Sequence, residues 1–118
     1  MLFIYYPKCS TCQKAKKFLD SHNIKYQEQD IKSNPPTYEE LLNYYQKSNL
    51  PLKKFINTSG TLYRQLNLKD KIQKMSDEEI IKLISSNGML IKRPLLISKN
   101  NILTGFKEEE YKRAIENL

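Results

Sequence analysis

The apolar run Leu2-Phe3-Ile4-Tyr5-Tyr6 opens the chain and stops at Pro7, which predicts a buried strand over 2–6. Charge then resumes, and apolar positions return at Ala15, Phe18 and Leu19 on one face of a helix over about 11–21. Asn23 breaks that helix. The stretch 24–30, from Ile24 to Asp30, alternates apolar and polar residues at its start, as a second strand would. A full helical crossover between two strands predicts that they run parallel in a right-handed unit.

Beyond Asn34-Pro35-Pro36 the period becomes helical. Thr37 can cap, Glu40 follows three residues later, and Leu41, Leu42 and Tyr45 form an apolar stripe. Residues 52–66 carry Phe55, Ile56, Leu62, Tyr63 and Leu66 around Ser59-Gly60, which suggests two short helices. Ser76-Asp77-Glu78-Glu79 is a capping box before Ile80, Ile81, Leu83 and Ile84, and Ser85 to Gly88 ends that helix. Residues 89–97 then read as a turn into an apolar strand, with Pro94 at the front where a missing ladder donor is tolerated. Asn100-Asn101 marks a hairpin into a fourth strand over 102–105, and a helix over 106–118 closes the chain, acidic in its first turn. This order predicts an α/β, thioredoxin-like fold in one domain of 118 residues. A helical insertion, approximately 37–88, separates its βαβ and ββα halves.

Composition narrows the setting. No segment reads as a secretory leader or a membrane span, and two closely spaced cysteines are not a secreted disulfide scaffold, so a cytoplasmic protein is expected. Twenty basic residues against 13 acidic ones give +7, yet the lysines are dispersed. With no zinc finger, RNP-type motif or glycine-rich phosphate loop, there is no direct nucleic-acid motif. No exposed apolar stripe argues for more than a monomer.

The chemistry sits in Cys9-Ser10-Thr11-Cys12, at the predicted turn from strand to helix. Unpaired N–H groups and the positive end of the helix dipole stabilise a thiolate at Cys9, and Lys8, Lys14, Lys16 and Lys17 add positive potential. Ser10 and Thr11 shape the turn, and Cys12, one turn on, is within reach to close a redox-active disulfide with Cys9. The two cysteines and His22 do not complete a four-ligand zinc site, and no metal is expected. His22 reads as a surface residue at a helix end. A static disulfide would close too short a loop to constrain the unfolded chain. Two ordinary buried cysteines remain the plain alternative.

Five anchors in order resemble the ArsC/Spx family of glutaredoxin-type arsenate reductases and Spx-type regulators. They are the strand into Cys9-x-x-Cys12; Asn34-Pro35-Pro36; Phe55 to Gly60 before Tyr63-Arg64-Gln65-Leu66; Gly88 to Pro94; and Gly105-Phe106. The resemblance implies that Cys9 is the reactive thiol and that Arg93 faces it, stabilising a thiolate or holding an oxyanion. The resemblance leaves the isomer of Pro94 open; if cis, as thioredoxin-like folds often have it, its backbone would face the cysteine turn and help dock a disulfide partner. No bound cofactor is implied; thioredoxin, glutaredoxin or a low-molecular-weight thiol would serve as reductant of a thiol–disulfide oxidoreductase. The arsenate reductases use further arginines, where this chain holds Asn57 and Gly105, so arsenate is not the expected substrate. The Spx-type alternative implies a redox-sensing transcriptional regulator that binds the C-terminal domain of the RNA polymerase alpha subunit. Those regulators carry a longer basic tail than this chain, which stops at Leu118.

Overall fold

In the computed structural model, which describes residues 1–118, strand β1 spans Leu2–Tyr5 and leads through Pro7 and Lys8 into helix α1, Ser10–Ser21. Cys12, Ala15, Phe18 and Leu19 recur at helical spacing on the buried face of α1. Asn23 ends the helix in the left-handed region at φ 56°, a conformation that asparagine adopts more readily than most residues. Strand β2 is Gln27–Asp30, shorter than the predicted 24–30, and pairs parallel with β1 from Leu2↔Gln27 to Tyr5↔Asp30. Its polar sequence suits an edge strand.

The chain forms two compact units, one made of Met1–Asp30 with Arg93–Leu118 and the other of Ile31–Lys92. In the first, β3 (Leu95–Ile97) and β4 (Ile102–Thr104) complete a four-stranded sheet of order β2-β1-β3-β4. Both β1–β3 and β3–β4 are antiparallel. Together with the closing helix α6, Glu108–Glu116, this is the thioredoxin-like arrangement. The register places Phe3 opposite Leu96 on one face of the sheet. There they pack with Ala15, Phe18 and Leu19 of α1 and Tyr111 of α6. Tyr111 stands edge-on to Phe18 and Phe106, with ring centroids 6.0 and 4.8 Å away.

The second unit holds helices α2 (Tyr38–Ser48), α3 (Thr61–Gln65), α4 (Leu68–Lys71) and α5 (Asp77–Ser85). Both capping boxes form. Thr37 and Ser76 accept from the N–H groups of Glu40 and Glu79, whose carboxylates accept in return from the cap N–H groups. The Tyr45 hydroxyl donates to Asp77 at 3.1 Å and ties α2 to the start of α5.

Residues 89–97 form a turn and then a strand that begins just after Pro94, as their pattern predicts. Gly88–Leu90 is a 3-10 turn, Ile91 makes one isolated bridge to Ile56, and only Leu95–Ile97 is strand. Helix α4 and the 3-10 turn Ile72–Lys74 were not expected from the pattern. No helix is long and apolar enough to cross a membrane.

Candidate functional site

Cys9 is the N-cap of α1, with extended backbone angles of φ −85° and ψ 125°, and its carbonyl accepts the first helical hydrogen bond from Gln13 N–H at 3.0 Å. The turn is fixed from both sides: Cys9 N–H donates to Tyr6 O at 3.0 Å, and Gln13 Nε2 donates to Pro7 O at 2.9 Å. Cys9 carries no oxygen with which to cap the helix. The N–H of Cys12, three residues on, instead favours the ionised form of the Cys9 sulfur.

The ionisation of the two sulfurs is pushed in opposite directions. Partial burial opposes ionisation of Cys9, but it is outweighed by hydrogen bonds from the Cys12 N–H and thiol and by the Arg93 guanidinium. The Cys9 thiol is therefore held below its ordinary range. Cys12 is fully buried, and desolvation pushes its thiol up to about 12, against a hydrogen bond from Tyr6 N–H and with a further push from the charge on Cys9. With both cysteines unbridged, the Cys12 thiol donates toward the Cys9 sulfur.

Arg93 and Pro94 stand just before β3, joined by a cis peptide bond. The Arg93 guanidinium hydrogen-bonds the Cys9 sulfur and lies 5.4 Å over the ring of Tyr6. The structure thus brings Cys9, Cys12 and Arg93 together, with buried Pro94 next in the chain. Lys8, Ser10 and Thr11 are exposed on the turn and first helical residues. Ser10, Lys14 and Lys17 line an open groove of about 420 Å³ along the outer side of α1.

One part of the expected positive field is spent elsewhere. Lys16 pairs with Glu28 at 2.7 Å and with the Tyr26 hydroxyl at 3.0 Å, while Tyr5 also donates to Glu28. Its charge is compensated on β2, leaving Arg93 as the cation that contacts the Cys9 sulfur. Sequence reasoning also missed Tyr6, which the apolar run made look like one more buried strand residue.

Two positions at which the resemblance expects arginines have other work. Asn57 is buried, donates to Met89 O at 3.2 Å and accepts from Ser59 Oγ at 3.4 Å. Gly105 is buried at φ 73°, where a side chain would strain the backbone, and donates to Pro94 O at 2.8 Å. His22 is exposed at the end of α1, its ring against Phe18 and its Nδ1 2.8 Å from Phe18 O.

A family model described as the ArsC family matches residues 4–114. The uncharacterized protein YusI of Bacillus subtilis is 50% identical over 94% of this chain and 94% of its own. A solved structure of a possible arsenate reductase from Streptococcus mutans is 46% identical, with a TM-score of 0.85 over 94% of this chain and 96% of that one. The global transcriptional regulator Spx of Streptococcus mutans is 30% identical over 88% of this chain and 74% of its own length.

Proposed function

The chain belongs to the ArsC family, and from that premise we propose that it is a thiol–disulfide redox protein with Cys9 as nucleophile and Cys12 as resolving thiol. The observation that carries this reading is the division of labour between the sulfurs. One is shifted toward the thiolate by a helix N–H, a thiol and a guanidinium, and the other is buried beside it with its ionisation opposed.

The Cys9 thiolate attacks one sulfur of a substrate disulfide, forming a mixed disulfide and expelling the other sulfur as a thiolate. That step discharges Cys9. It removes both the negative charge and the acceptor that, after burial, hold the proton on Cys12. Cys12 then gives up its proton, attacks the Cys9 sulfur and expels the second substrate thiolate. The substrate gains two electrons from the pair and two protons, one from Cys12 and one from solvent; the chain ends with a Cys9–Cys12 disulfide. An external dithiol such as thioredoxin or glutaredoxin, or two equivalents of a small thiol, returns the pair to its reduced form.

Arsenate reduction is the less supported form of the same chemistry. Asn57 is committed to a loop carbonyl and Gly105 to a left-handed backbone, so neither adds a cation for an oxyanion. The reading is tested by a single turnover with 2-hydroxyethyl disulfide. One equivalent of reduced protein releases two equivalents of 2-mercaptoethanol, and its mass falls by two hydrogens. Release of one equivalent, with a stable adduct, would remove Cys12 from the cycle.

The Spx relative supports a second reading, in which the same sulfur pair senses oxidants and governs binding to the C-terminal domain of the RNA polymerase alpha subunit. Capture of that domain by only one redox form of this chain would favour it. Equal or absent capture by both forms would oppose it.

A further inference from the structure

We infer that Tyr6 is a positioning residue, whose ring holds the Arg93 guanidinium in place against the Cys9 sulfur. This rests on the reading of Cys9 as the nucleophile and adds the element that keeps its counter-charge in register. Strand β1 ends at Tyr5, so Tyr6 is the first residue past the ladder, and its side chain is half-buried rather than part of the core.

Three contacts converge on this residue. Its carbonyl accepts from Cys9 N–H at 3.0 Å, its N–H donates to the Cys12 sulfur, and its ring lies 5.4 Å from Arg93 Cζ. The backbone of Tyr6 therefore sets both cysteines, and its side chain sets the cation that acts on one of them.

The physical case turns on the arginine side chain. A guanidinium on a flexible stem loses rotamer freedom when it is held at one atom, and a second contact shares that cost. An aromatic ring attracts the cation through its face, so it need not compete for the in-plane N–H groups that point at an acceptor. The ring does this without its hydroxyl, and Phe supplies the same face. Leucine fills a similar space without the ring electrons, so the guanidinium loses its second anchor while the backbone contacts to both cysteines stay.

The test is the pH dependence of iodoacetamide alkylation at Cys9, read by peptide mass in the full chain. Tyr6→Leu is expected to shift the alkylation pKa upward by about one, a tenfold smaller thiolate fraction on the acid side. Tyr6→Phe is expected to restore the wild-type value to within about 0.3. In an Arg93→Ala background, Tyr6→Leu is expected to add no further shift, because the ring acts through the guanidinium. Tyr6→Gln carries the same expectations should Tyr6→Leu fail to fold.

An unmoved pKa in Tyr6→Leu would overturn the inference, and so would an equal shift with and without Arg93. Neither result would touch the nucleophile reading. A wild-type Cys9 that titrates like an ordinary thiol would overturn both.

Discussion

Cys12→Ser protein treated with a disulfide stops at a covalent adduct on Cys9 and accumulates it stoichiometrically, while wild-type protein passes through that adduct and releases it. The serine hydroxyl still donates to the Cys9 sulfur, so the first step survives. It cannot attack a disulfide, so the second step does not. Cys9→Ser has the opposite outcome. It leaves only the Cys12 thiol, fully buried and still disfavoured as a thiolate by desolvation, and exchange near pH 7 falls by about a hundredfold or more.

The pH profile follows from the sign of the Cys9 shift. Its proton leaves more readily than that of a free thiol, so the first-step rate of Cys12→Ser rises with pH and reaches its plateau below the ordinary thiol range of about 8.5. Intact mass spectrometry of quenched reactions checks both variants. An adduct that Cys12→Ser releases as fast as wild type would contradict the resolving role.

Gly88→Ala is the substitution with the largest expected cost to stability. A Cβ at Gly88 would stand 1.7 Å from the carbonyl oxygen of Ile31 and 2.7 Å from its carbon. The obstruction is backbone, which cannot rotate away as the end of a side chain can, so the 3-10 turn Gly88–Leu90 or the chain at Ile31 has to move. The expected loss is about 3 kcal/mol, which for a chain of this size lowers Tm by roughly 10 °C or more. Thermal unfolding followed by circular dichroism checks it, and a melting point within about 2 °C of wild type would show that no close approach exists. At Gly60 the neighbour is the amide of Asn57 at 2.6 Å, a side chain, so the same substitution there is milder.

What was legible in the sequence was local. Thr37 with Glu40 and Ser76 with Glu79 fixed two helix starts, because a capping box needs only four adjacent residues. Cys9 was placed at a helix start for the same reason: the apolar run, Pro7 and the later helical period bracket it. The errors came from contacts between segments far apart in the chain. By position Lys16 adds to the field at Cys9, but its partner Glu28 lies on the paired strand. Helix α4 buries only Leu68, so it shows no period to detect. Arg93 came from the family resemblance rather than from spacing, since 84 positions separate it from Cys9. Nothing in the pattern set Tyr6 apart from the four apolar residues before it.

The account stands most directly on the redox equilibrium of the Cys9–Cys12 pair. Equilibration of the wild-type protein in graded thiol–disulfide buffers, followed by acid quenching, alkylation and mass spectrometry, measures it. The predicted result is one reversible two-electron transition between a dithiol and an intramolecular disulfide, lost in both Cys9→Ser and Cys12→Ser. A chain that stays dithiol across the whole range, or that collects only mixed disulfides with the buffer thiol, would contradict it.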